Sequence, residues 1–106
     1  MTDQRKSRRE VLEAFVAEKP DDAFYRYGLA LEYMNSGDTA SAETQFRELI
    51  RRNPSYVPGY QMLGQLLAKH SRSEDARFIL NQGIAAATKV GNGHAQSEME
   101  SLLAEL

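Results

Sequence analysis

Phe24-Tyr25-Arg26-Tyr27-Gly28-Leu29-Ala30-Leu31 and Tyr60-Gln61-Met62-Leu63-Gly64-Gln65-Leu66-Leu67 share one order of side chains: aromatic, bulky, glycine, leucine at the same spacing. Laid on one another, Phe24 falls on Tyr60, Tyr27 on Leu63, Gly28 on Gly64 and Leu31 on Leu67, each pair 36 residues apart. Downstream, Ala42 and Phe46 answer to Ala76 and Leu80, now 34 apart. The two-residue difference falls between Leu31 and Ala42 and predicts a longer turn or helix in the first unit, an insertion of a tolerated kind. A period of this length marks stacked supersecondary units.

Around these stretches apolar residues recur three and four apart, the helical period, and nothing alternates as a strand would. Six helices are predicted, at 4–18, 21–35, 39–52, 57–70, 73–89 and 93–105. The breaks between them have physical causes. Pro20 cannot continue a helix, and Asp21 and Asp22 follow it as caps. Gly37 suits a left-handed helix end, with Asp38 as the next cap. Asn53-Pro54 ends the third helix, Pro58 fits the first turn of the fourth, and Ser71 to Glu74 has the spacing of a capping box. Gly91-Asn92-Gly93 precedes the last helix. Loops this short force neighbouring helices to pack antiparallel. Gly28 and Gly64 fall at helix centres, where glycine costs about 0.8–1.0 kcal/mol relative to alanine. That cost at equivalent positions implies close helix approach, with Ala42 and Ala76 as the opposing small residues.

The order aromatic-x-x-apolar-Gly-x-x-apolar, then Ala-x-x-x-aromatic, then proline, resembles the tetratricopeptide repeat. The first unit, 21–54, carries it through Phe24, Tyr27, Gly28, Leu31, Ala42, Phe46 and Pro54. The second, 57–89, carries it through Tyr60, Leu63, Gly64, Leu67, Ala76 and Leu80, with Gly83 where a small alanine is usual and no closing proline. The resemblance implies an all-α fold: antiparallel helical hairpins stacked as a short right-handed superhelix, like a small stand-alone bacterial protein of this family. Residues 1–106 then form one domain, with the helix at 4–18 flanking the first repeat and that at 93–105 capping the second. Ala95, Met99, Leu102, Leu103 and Leu106 make the apolar stripe such a cap needs. Val11, Leu12, Phe15 and Val16 give the first helix an apolar side, like the second helix of an upstream repeat set about two residues too close.

In this family the first helix of each hairpin lines a concave face that takes ligands. Carried over by position, that face comprises Asp22, Tyr25, Leu29, Glu32 and Tyr33, then Gln61, Gln65, Ala68 and Lys69. The function implied is a non-catalytic module that binds a peptide or helical segment of a protein partner, with Tyr25, Leu29, Glu32, Tyr33, Gln61, Gln65 and Lys69 as the groove. Tyr25 and Leu29 can alternatively be covered by the first helix. Two repeats make a short groove, so micromolar affinity, about −8 kcal/mol, is expected. The grip that some members have on a chaperone's terminal carboxylate needs Lys, Arg or Asn where this chain has Tyr25, Leu29 and Met62, and is argued against. Self-association through an end helix, as a scaffold subunit, is the alternative; monomer or weak homodimer follows.

Other chemistry finds little support. Hydrophobic residues are 42% and charged residues 26% of the chain, an ordinary globular balance, and a net charge of −2 creates no field that draws in nucleic acid or anionic membrane. Without cysteine, disulfides, thiolate metal sites and a thiol nucleophile are excluded. His70 and His94 lack partners at ligand spacing, no phosphate-binding loop occurs, and serines stand mostly at helix starts. Neither enzyme activity, cofactor, metal nor small-molecule substrate is expected. Arg5, Lys6, Arg8 and Arg9, with Arg51-Arg52, are the only candidates for phosphate contacts, and Asp3, Glu10 and Glu13 offset the first cluster. No run spans a bilayer and no signal sequence is evident, so the cytoplasm is the default location.

Overall fold

The computed structural model describes residues 7–106, and the first three residues of the predicted 4–18 helix lie outside them. Six helices follow in order: α1 (Arg8–Glu18), α2 (Ala23–Asn35), α3 (Thr39–Arg52), α4 (Val57–Lys69), α5 (Ser73–Val90) and α6 (Gly93–Ala104). Among the described residues none is in a strand. The fold is an all-α stack of hairpins. Side chains cap four helix starts: Ser7 and Glu10 form a reciprocal box on α1, Asp22 accepts from Phe24 N, Asp38 from Ser41 N and Asn92 from Ala95 N. Each satisfies amides that the first turn leaves without partners.

The repeat is a constant 34 residues, which corrects the 36-residue superposition. Helices α2 and α4 both have 13 residues, and α3 and α5 likewise begin 34 apart. Leu29 is buried like Leu63, Ala42 like Ala76, and Phe46 like Leu80. The position of Tyr60, 7% exposed, belongs in the first repeat to Arg26, also 7% exposed, and Phe24 is 71% exposed. Both first-helix residues close onto the preceding proline: Arg26 Nη2 donates to Pro20 O at 3.1 Å, and Tyr60 OH donates to Pro54 O at 2.8 Å. The turns match as well. Gly37 (φ +85°) and Ser71 (φ +62°) hold the same left-handed position, and the next amides, Asp38 N and Arg72 N, donate to Tyr33 O and Leu67 O, each at 2.9 Å.

No longer turn exists in the first hairpin. The two extra residues come later, because α5 runs for 18 residues against 14 in α3, and only Gly91-Asn92 separates it from α6. The expected capping box at Ser71 also fails. Ser71 is consumed by the left-handed turn, so Arg72 stands at the cap and no side chain accepts there. Its guanidinium instead binds Asp75 and reaches across to Glu43 on α3.

Small residues let paired helices approach. A methyl on Gly64 would lie 2.5 Å from Leu80 Cδ2, and one on Gly83 would lie 2.6 Å from both Tyr60 Cβ and Met99 Sδ. The first-repeat counterpart of Gly64 is Ala30, fully buried, and not Gly28. Gly28 faces away from Ala42: a methyl there would meet Leu12 of α1 at 3.3 Å. The glycine match between the two stretches therefore joined residues with different neighbours. Burial of Phe46, Leu49, Leu63, Leu67, Leu80 and Met99, each below 2% exposed, supplies about 1.5–3 kcal/mol per side chain.

Helix α1 sits on α2 as the last three turns of a second repeat helix would. Leu12 and Phe15 occupy the registers of Phe46 and Leu49, and the backbone at Lys19 (φ −129°, ψ 69°) repeats that at Asn53 (φ −132°, ψ 74°). The spacing that looked two residues short is the regular 34. Where α3 and α5 keep buried Ala42 and Ala76, α1 has Arg8, which pairs with Glu32 at 2.6 Å. No residue of α1 is fully buried. At the α2–α3 seam, Arg26 Nη1 donates to Gln45 at 2.9 Å, but its Nε has no partner among the described residues. Desolvation, reinforced by the charge of Arg52, holds the Arg26 pKa below its ordinary value.

Gly83→Ala should destabilise the protein by about 1–3 kcal/mol, even though alanine is the better helix former, because the Tyr60 Cβ cannot swing aside. Gly28→Ala should be neutral or stabilising, since only the flexible end of Leu12 on exposed α1 must move. Thermal unfolding of the two variants checks this; equal melting temperatures would contradict the seam as described. A second expectation concerns Glu48, whose carboxyl accepts from Arg51 and from Arg52 and is held down at about 2 from 4.5. A depressed carboxylate contributes stability above its unfolded pKa and loses it as pH falls through the folded one. Glu48→Gln should therefore be less stable than the native chain at neutral pH, with the gap closing between about pH 4.5 and about 2 in paired denaturant titrations.

Candidate functional site

Helices α2, α4 and α6 line two adjoining clefts. The first, about 520 Å³, lies between α2 and α4, with Met34, Met62 and Leu66 as its apolar floor and Asn35, Gln65, Lys69 and His70 around it. The second, about 380 Å³, lies between α4 and α6 and is lined by Gln61, Gln65, Glu98, Met99, Ser101, Leu102 and Glu105. Gln65, exposed at the middle of α4, is common to both, so the clefts form one surface across three helices. At the N-terminal end of the α2–α4 seam the rings of Tyr27 and Tyr56 meet edge to face at 5.6 Å. Desolvation raises the pKa of both phenols, so they are neutral contacts over any physiological range. At the other end Thr39 Oγ1 and His70 Nε2 lie 3.4 Å apart and tie the two hairpin turns together.

The structure divides the residues singled out from the sequence. Gln61, Gln65 and Lys69 are brought together along these clefts. Tyr25, Leu29, Glu32 and Tyr33, expected in the same groove, do not border these clefts. The Tyr25 ring is stacked on Phe15 of α1 at 4.6 Å, Leu29 is 2% exposed in the core, and Glu32 is held by Arg8. Tyr33 borders a depression of the opposite, α2–α3 side with Ala40, Ser41, Thr44 and Gln45. Asp22 is engaged as the α2 cap, at 3.0 Å from Phe24 N, and Ala68 is half-buried against the core. In their place α2 contributes Met34 and Asn35. Those two, with Met62, His70, Glu98, Leu102 and Glu105, were missed. The signal that finds Met34 and Asn35 is the spacing of Pro20 to Pro54 and of Ala42 to Ala76, each 34, which fixes the register that the glycine match displaced.

Among the described residues, the basic side chains weighed as phosphate contacts all stand in ion pairs. Arg51 and Arg52 bind Glu48, Arg52 also binds Asp21 at 2.7 Å, and Arg9 pairs with Glu13 at 3.2 Å. Arg5 and Lys6 lie outside the described residues. Among the described residues no cluster of three His, Asp or Glu side chains is placed to hold a metal ion, and no helix is long and apolar enough to cross a membrane.

No family model matches the chain. Among curated proteins it is 31% identical over 97 residues to TPR repeat-containing protein PA0015 of Pseudomonas aeruginosa, an alignment covering 92% of each. Among solved structures it is similar to a tetratricopeptide repeat domain protein from Salinibacter ruber, with a TM-score of 0.76 and 33% identity over 82% of this chain and 88% of that one. The TPR2B domain of yeast Sti1, solved in complex with pHsp70, superimposes with a TM-score of 0.83 at 17% identity, covering 90% of this chain and 76% of that one, and so shares the fold. Core residues buried in pairs, matched turns, a 34-residue period and these likenesses agree: the chain belongs to the tetratricopeptide repeat (TPR) proteins.

Proposed function

We propose that the chain is a non-catalytic docking module that takes a short segment of another protein across α2, α4 and α6. Tetratricopeptide repeats generally mediate protein–protein interaction, and the Sti1 domain is a neighbour seen with a partner bound. The observation that carries the reading is the pair of clefts joined at Gln65, apolar below and amide-rich above. An apolar floor bordered by a few polar groups is the usual make-up of a recognition site. Met34 and Met62 are flexible and polarisable, so the floor adapts to more than one side chain. The amides of Asn35, Gln61 and Gln65 each offer a donor and an acceptor, which suits the backbone of a segment lying across the helices. The segment is read as peptide and not as a chain-end carboxylate, because the corrected first-repeat positions are Tyr27 and Leu31, which supply no charged donor. The cytoplasm remains the proposed setting.

Capture of a partner by the immobilised protein tests this, with wild type beside Gln65→Arg, Met62→Glu and Tyr25→Ala, each checked for folding by circular dichroism. Gln65→Arg and Met62→Glu should each weaken capture by about tenfold or more, and Tyr25→Ala should not, since its ring serves α1. Capture lost with Tyr25→Ala and kept by the other two would move the site to the N-terminal end of the stack.

A further inference from the structure

The last residue of α2 is Asn35, the last of α4 is Lys69, and the residue that caps α6 is Glu105. The 34-residue period gives Lys69 the register of Asn35, and the 36-residue offset between α4 and α6 gives Glu105 the register of Lys69. An amide, a cation and an anion thus stand at the same level on three neighbouring helices, and all three border the clefts. Among the described residues neither Lys69 nor Glu105 belongs to an ion pair, and both are exposed. In contrast, most of the arginines are spoken for. A lysine suits the negative end of a helix, but a glutamate there opposes the helix dipole, so helix stability does not account for Glu105.

We propose that the docked segment is charge-patterned: it carries an acidic side chain that meets Lys69 and a basic side chain that meets Glu105, with apolar residues before and after the acidic one. This rests on the docking reading and names the chemistry of its partner. Packed helices lie about 8–10 Å apart. A polyproline-type segment rises about 3.1 Å per residue and returns to the same face every third, so its facing side chains are spaced about 9 Å. An acidic-x-x-basic pattern therefore matches the step from α4 to α6. The apolar residue before the acidic one falls over Met34 and Met62, and the one after it over Leu102. The two charges give the segment one running direction, because reversing it sets like beside like.

Selection from a displayed library of random dodecapeptides tests the proposal, followed by fluorescence anisotropy of the selected peptides on the full chain. Wild type should select acidic-x-x-basic or its reverse order, Lys69→Glu should select two basic residues at that spacing, and Glu105→Lys two acidic ones. Each single variant should bind the wild-type peptide about tenfold more weakly. Peptides blocked by Gln65→Arg yet indifferent to both charge reversals would overturn the charge pattern and leave the docking reading standing. Peptides indifferent to Gln65→Arg, or none selected, would overturn both. If sedimentation gives a concentration-dependent oligomer that Gln65→Arg dissociates, the occupant is a second copy and the proposal fails.

Discussion

Close approach of helices at a seam of small residues is the constraint on which the molecule depends. Gly64 leaves room for Leu80, Gly83 for Tyr60 and Met99, and Ala42 and Ala76 are fully buried. Glycine in a helix is an intrinsic loss of about 1 kcal/mol. It persists here because a methyl would push apart side chains that together exclude water from the core. With the seam closed, each hairpin presents one face of its first helix outward. Stacking two hairpins and α6 sets those faces side by side, and the clefts are the grooves left between them. The surface is therefore a product of the core and has no separate scaffold.

Much of the architecture was legible in the residues. Helical period, Pro20, Gly37, Asp38 and Asn53-Pro54 place the helix ends because each acts locally, through a fixed φ, a left-handed turn or a side-chain cap. Register was harder. Phe24 and Gly28 imitate Tyr60 and Gly64 in type, whereas the residues that fill those places are Arg26 and Ala30. An arginine closing on Pro20 O does through its guanidinium what the tyrosine does through its hydroxyl, and no pattern of residue types reveals that. Ser71 in the left-handed position of Gly37 conceals the equivalence a second time.

The same slip explains the divided legibility of the site. Two residues along a helix turn a side chain by about 200°, onto nearly the opposite face. Gln61, Gln65 and Lys69 were read in the true register of the second repeat and border the clefts. Their supposed counterparts Tyr25, Leu29, Glu32 and Tyr33 were read two residues early, and they turn toward α1 and the core. The acidic residues of α6 were out of reach for another reason: the helix was placed at 93–105 as a cap, and that its polar side flanks a cleft with α4 follows from tertiary packing, which residue types do not show.

The buried guanidinium of Arg26 has a mechanical consequence. In a one-dimensional stack, local stability is set unit by unit. The first unit holds a desolvated charge whose Nε is unpartnered among the described residues, and α1, which covers its N-terminal side, buries no residue fully. The second buries seven residues of α4 and five of α5, and is closed by Met99. The two walls of the α2–α4 cleft are thus unequal: α4 buries seven residues in the core and α2 three. Local opening that starts at the N-terminal end is therefore expected to reach the α2 wall of this cleft before the α4 wall.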